Sequence, residues 1–170
     1  MKIEFGGGKS PRKKDWLQCD IQDLDNIDIV CNAWEICDHI ENNVVEEIYS
    51  RHFLEHTTFI QAEACIGAWY KILKPEGSLQ IIIPNLQWHF DQFFHPQRHE
   101  IKIKNSSQTL FQRAIEGIYG KQTNGMTDVW DIHKSGWDYE TLSNLLLKFN
   151  FRNIQRKKDL IKNLNVIAFK

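Results

Sequence analysis

The chain is short of every feature that marks a non-globular protein. Four prolines and nine glycines in 170 residues are too few for a collagen-like rod or a low-complexity tract. No apolar run is long: the cleanest is Ile81-Ile82-Ile83, against the roughly 20 residues that a membrane-spanning helix needs. The 21 basic and 22 acidic residues nearly cancel, to a formal charge of -1. A basic grip on nucleic acid is therefore not expected. The four cysteines, Cys19, Cys31, Cys37 and Cys65, are irregularly spaced and form no C-x-x-C pair. That argues against a disulfide framework and for reduced, buried thiols. The opening stretch, MKIEFGGGKSPRKKDW, lacks the apolar segment of a secretory signal. These absences lead to the expectation of a cytoplasmic protein. A chain of 170 residues is expected to form one domain around a self-sufficient core.

What is present reads as alternating strands and helices. Lys2 to Phe5 is a short strand with Ile3 and Phe5 on one face, broken by Gly6, Gly7 and Gly8. Further strands are expected at 16–21, 28–32, 44–50 and 79–84. The last is an unbroken apolar run, as in a parallel strand buried on both faces. Between them, Thr58 and Gln61 form a capping box. Phe59, Ala62, Ile66, Trp69, Tyr70 and Leu73 follow at helical spacing, and Pro75 and Gly77 stop that helix. Gly67 in its middle implies close packing. Asp138 caps a second helix, 139–149, with Leu142, Leu145, Leu146 and Phe149 on its apolar face. A strand pair closes the chain. The basic run Arg156-Lys157-Lys158 reads as a solvated sheet edge. The pattern implies one α/β domain, 1–170, with a mostly parallel sheet. Residues 85–137 interrupt it with a helix at 107–119 and a long irregular stretch, and are read as a cap over a ligand site.

Three motifs compete for the chemistry. Phe5-Gly6-Gly7-Gly8-Lys9-Ser10 ends like a phosphate loop, but Ile3 stands where the first glycine belongs and Pro11 interrupts the helix that should follow. What remains is glycine after the first strand and an acid, Asp20, at the end of the second. That pair suits a nucleoside, its carboxylate accepting from the ribose hydroxyls. His52-Phe53-Leu54-Glu55-His56 matches the inverted zinc-peptidase motif H-x-x-E-H. That chemistry needs both histidines on one helical face, whereas the capping box at Thr58 starts the helix after His56. Zinc hydrolysis is thus a remote alternative, with His56 as a structural hydrogen-bonding residue. His89, His95 and His99 read as scattered surface histidines, and no metal site is expected from them. His133 lies in the cap before a helix, where a near-neutral imidazole can serve as a base.

These elements resemble a class I S-adenosylmethionine-dependent methyltransferase of the compact bacterial, methyltransferase-11-like type. The residues that carry the resemblance are E-F-G-G-G, D-I, D-I-V-C-N, E-E-I-Y-S-R-H-F-L-E-H and the W-Y-K-I-L-K-P-E-G-S-L-Q-I-I-I-P-N segment, within residues 2–86. His133-Lys134-Ser135-Gly136-Trp137 and the helix after it match the same group. The resemblance implies a single-domain Rossmann-like fold, its twisted sheet ordered 3-2-1-4-5-7-6 with the last strand antiparallel and helices on both faces. It implies S-adenosylmethionine as cofactor, with Gly6, Gly7 and Gly8 beside the methionine portion and Asp20 and Ile21 at the ribose. Asn32, Ala33 and Trp34 would lie near the adenine, and Ser50, His52 and Leu54 on the cofactor's other side. Only twelve positions separate Gly8 from Asp20, so the first crossover helix should be a stub. Asn32 stands where such proteins often carry aspartate.

The implied reaction is methyl transfer to a small-molecule or glycan acceptor, with a hydroxyl expected, His133 and then His52 as candidate bases, and Tyr119, Trp130, His133 and Trp137 as candidate acceptor contacts. A non-catalytic methyltransferase-like binding domain is the alternative. Neither a nucleic-acid partner nor a membrane span is expected, and the oligomeric state stays open.

Overall fold

The alternation of Ile3 and Phe5 with Lys2 and Glu4 in β1 (Lys2–Phe5) sets the two faces of the sheet. The computed structural model describes residues 1–122 and 130–170. In them β1 is followed by β2 (Leu17–Asp20), β3 (Ile29–Val30), β4 (Val45–Arg51), α1 (Phe59–Ile72), β5 (Leu73–Pro84), α2 (Leu86–Phe94), α3 (Leu110–Tyr119), α4 (Tyr139–Lys148), β6 (Arg152–Lys157) and β7 (Asn163–Phe169). The seven strands form one sheet in the order β3-β2-β1-β4-β5-β7-β6. β7 runs antiparallel to β5, and the other internal pairs up to β5 are parallel.

Register aligns the apolar positions. Ile3 sits beside Leu17 and Ile48, and Ile81 beside Ser50 and Val166. On this face α1 and α4 bury Ile66, Trp69, Ile72, Leu142 and Leu146 against the strands. The Trp69 indole stacks on Phe5 at 4.7 Å between centroids, a geometry that favours aromatic pairs. Both helices begin on the caps expected of them: Thr58 with Gln61, and Asp138 with Thr141. A Cβ on Gly67 would lie 2.8 Å from Phe149, so the glycine lets the end of α4 approach α1.

The other face departs from the expectation of helices on both sides. Among the described residues no helix follows β1 or β2; the eleven-residue connection between those strands is too short to form one and return. Instead that loop lies on polar strand residues. Buried Glu4 accepts from the backbone amides of Arg12 (3.0 Å) and Lys13 (2.6 Å). The Gln18 amide donates to the carbonyls of Lys13 (2.8 Å) and Trp16 (2.9 Å). The ammonium of Lys13 stands 5.1 Å from the Tyr49 ring centre.

The cap rises from the C-terminal end of β5. Here α2 was not legible in the sequence: Asn85 makes no side-chain cap and donates instead to the Ile161 carbonyl. The predicted helix at 107–119 begins at Leu110, where Thr109 and Gln112 form a capping box, and ends at Gly120 as expected. Part of the irregular stretch, 123–129, lies outside the described residues. No helix among the described residues is long and apolar enough to cross a membrane.

Candidate functional site

Two cavities open at the C-terminal ends of the strands. The first, of about 350 Å³, is bordered by Gly6, Gly8, Asp20, Asn32, Trp34 and His52, among others. Gly6 and Gly8 have φ of +74° and +52°, backbone that glycine adopts without strain. A Cβ on Gly6 would strike the Phe53 ring at 2.5 Å, whereas one on Gly8 would meet nothing within 4 Å. Asp20 ends β2 almost fully buried, its oxygens accepting from the amides of Gly8 (3.1 Å) and Gln22 (3.0 Å). A carboxylate offers about four acceptor sites, so roughly two remain for a ligand. Cys19 and Cys31 share the wall, their sulfurs 3.6 Å apart, and burial pushes both thiols up, away from the thiolate.

The second cavity, of about 500 Å³, lies beneath the cap. Its border includes Glu55, His89, Arg113, Glu116, His133 and Lys162. His52, His56 and Asp131 border both cavities and form the wall between them. His52 occupies the turn after β4 with φ of +50°, its amide donating to the Ile82 carbonyl at 2.7 Å. Such backbone is uncommon outside glycine. His52 donates from Nδ1 to Glu55 Oε1 (3.0 Å), His56 from Nδ1 to the Ile132 carbonyl (3.2 Å), and His133 from Nδ1 to the Gly117 carbonyl (3.0 Å). Each acceptor is an oxygen without a proton to give, so the neutral rings keep an unprotonated Nε2. Burial holds the His133 pKa below its ordinary value, though Glu55 pulls the other way. Burial also depresses His89, to about 4, against a hydrogen bond to the Lys162 backbone.

No family model and no curated protein sequence matches the chain. Solved structures do match it. An S-adenosylmethionine-dependent methyltransferase from Archaeoglobus fulgidus is 14% identical over 99% of this chain and 85% of that one, with a TM-score of 0.63. One from Thermotoga maritima is 12% identical, over 99% and 81% of the chains, at 0.64. One from Mesorhizobium loti is 13% identical, over 99% and 90%, at 0.60. The fold is that of the S-adenosylmethionine-dependent methyltransferases. At these identities the likeness is one of architecture.

Within the methyltransferase fold, most residues expected around a cofactor converge. Gly6, Gly8, Asp20, Ile21, Asn32, Ala33, Trp34 and His52 all border the first cavity. Three do not. Gly7 turns away, where a Cβ would meet the Gln18 carboxamide and Pro11. Ser50 lies on the α1 face of the sheet beside Phe5 and Ile81, and Leu54 is fully buried in the core. Asn32 donates to Glu35 at 3.0 Å.

The acceptor contacts are corrected more heavily. Trp137 is a core residue, 6% exposed, its indole donating to Ser135 and packing on Phe59. Tyr119 is exposed and borders neither cavity. Trp130 borders the first cavity, not the second. Only His133 lies where expected, under the cap. His89, read as a surface histidine, is 3% exposed. Its ring fills the space above Gly117, where any Cβ would lie 2.0 Å from it. Residues Leu54–His56 form a single 3-10 turn rather than the α-helix that the inverted zinc-peptidase motif requires. Arg113, Glu116 and Lys162 were missed, because nothing local in the sequence distinguishes them from other surface charges.

Proposed function

We propose that the chain is an S-adenosylmethionine-dependent methyltransferase acting on the hydroxyl of a small molecule or sugar. The observation that carries this reading is the shared wall: a nucleoside-sized cavity with a buried acid at the end of β2 meets a polar cavity under the cap at His52, His56 and Asp131. The residues fit the cofactor. Asp20 has acceptor capacity for the two ribose hydroxyls, Gly8 leaves open space beside the backbone, and Ala33 and Trp34 offer apolar surface to the adenine. Bound S-adenosylmethionine would supply an activated methyl, leaving with the C–S electron pair on sulfur as the new bond to oxygen forms.

The protein's task is then alignment and removal of one proton. Alignment of this kind supplies up to about 7–11 kcal/mol in favourable systems. His52 has the better claim to the proton. It borders both cavities, whereas His133 borders one. Glu55 Oε1 fixes the His52 tautomer, so Nε2 accepts the hydroxyl proton and the carboxylate steadies the imidazolium. The polar wall of the cap cavity, with Arg113, Glu116 and Lys162, suits a hydrogen-bonding acceptor.

Calorimetry with S-adenosylhomocysteine tests the reading. Binding that weakens by about 100-fold in Asp20→Ala is the expected result, from two lost hydrogen bonds to a charged group at roughly 1.5 kcal/mol each. Absence of binding at millimolar ligand would exclude it. Turnover with any hydroxyl acceptor would separate the enzyme from a non-catalytic domain of the same fold.

A further inference from the structure

We propose that Glu55, His56 and His133 form a binding site for a divalent transition-metal ion, zinc by its donor set, with an open coordination position facing the cavity under the cap. One donor atom from each residue lies within 4.8 Å of the others. In a tetrahedral zinc site such atoms are roughly 3.4 Å apart, so small side-chain rotations close the set.

Three further observations point to a cation there. Glu55 is 2% exposed, yet its Oε2 has no hydrogen-bond donor. A buried carboxylate oxygen left unpaired is costly, and a cation is the natural partner. Both histidines are held by the arrangement that metal-binding imidazoles use: Nδ1–H donates to a backbone carbonyl, of Ile132 for His56 and of Gly117 for His133, and Nε2 is left to bind. The two segments are also fastened together at this point. The amides of Lys134 and Ser135 donate to the Glu55 carbonyl at 2.8 and 3.2 Å, and the Ser135 hydroxyl donates to the Leu54 carbonyl. The rings of His56 and His133 meet edge to face, 4.9 Å between centroids.

Two neutral imidazoles and one carboxylate suit zinc and its first-row neighbours better than calcium or magnesium, which take oxygen ligands. Three protein ligands and an open position is the pattern of a working zinc rather than a structural one. This set differs from the H-x-x-E-H reading: His52 is outside it, its Nδ1 bound to the other oxygen of Glu55.

The chain, stripped with chelator and desalted, is to be titrated with Zn²⁺, and bound metal counted by atomic emission. Cobalt(II) in place of zinc reports geometry through its visible absorption. One ion per chain is expected, with the intense cobalt spectrum of four-coordination. Glu55→Gln, His56→Ala and His133→Ala should each weaken binding by more than about 100-fold, beyond the loss typical of an outer partner. His99→Ala, elsewhere in the cap, and Cys31→Ser, in the Cys19–Cys31 thiol pair, should bind as the parent chain does. No stoichiometric metal, retention by all three ligand variants, or equal loss in either control overturns the proposal. Binding of S-adenosylhomocysteine by Glu55→Gln and His133→Ala, whose residues border only the cavity under the cap, verifies that they fold and reports on the other cavity alone, so this proposal and the methyltransferase reading fail separately.

Discussion

The two cavities share a wall but are built in opposite ways. The first is assembled largely from the ends of β1, β2 and β3 and the turn after β4, within residues 6–61, plus three residues of the cap. The second draws on four separated regions: the turn after β4, α2 with α3, the 131–133 segment, and the approach to β7. The first is positioned by parallel strand pairing. The second depends on how the cap docks, including the close packing of the His89 ring on Gly117. A site set by the sheet should tolerate damage to the cap, and the converse should hold too.

Removing the shared base tests this most severely. In His52→Ala, turnover should fall by roughly 10²–10⁴, while affinity for S-adenosylhomocysteine changes by only a few fold. A proportionate loss of affinity would show His52 to be a cofactor contact instead. Next is the pH dependence of the cap. The fold holds His89 at about 4, below the ordinary 6.5. Above pH 6.5 native and unfolded chains both carry the neutral ring. Between pH 6.5 and 4 only the unfolded chain takes up the proton, so stability falls with falling pH, by about 3 kcal/mol over that window. Denaturant titrations at pH 7 and 4.5 should reveal the loss, and His89→Phe should remove this part of it.

Two glycine variants then divide the cavities. Gly117→Ala puts a methyl into the His89 ring and should cost about 1–3 kcal/mol by overpacking, with S-adenosylhomocysteine affinity unchanged. Gly6→Ala should reduce that affinity, through its positive φ and the clash with Phe53. The reverse pattern would break the comparison. The smallest effect is expected at Asp138→Ala, which removes the cap of α4 at a position that borders neither cavity. A loss of about 1 kcal/mol in stability with both cavities intact is predicted.

Legibility in the sequence follows the same division. The sheet could be read because Ile3 and Phe5 alternate, because Ile81-Ile82-Ile83 is apolar throughout, and because Thr58 and Asp138 announce their helices. Asp20 could be read as a site residue from its place after the second strand. By contrast α2 has no capping side chain, since Asn85 is engaged elsewhere. His89 reads as a surface residue although Leu86, Phe90 and Phe93 stand at helical spacing around it; its burial rests on the missing side chain at Gly117. Trp137 is open to two readings, acceptor contact or core residue, and its packing on Phe59 and hydrogen bond to Ser135 decide for the core.

What the sequence by itself determined is the succession of strands along the chain, the starts of α1 and α4 and the glycine-and-acid pair at the first cavity, because each rests on periodicity or on neighbours a few residues apart; the order of the strands within the sheet came only through the resemblance. Only the tertiary structure decided the rest. It put loop in place of helix over Glu4, turned Gly7, Ser50 and Leu54 away from the cavity, and brought His133 against Glu55 and His56. Those last contacts join residues more than seventy positions apart in the chain. They exist because Lys134 and Ser135 satisfy the Glu55 carbonyl, a hydrogen-bonding choice made across the fold that no local pattern records.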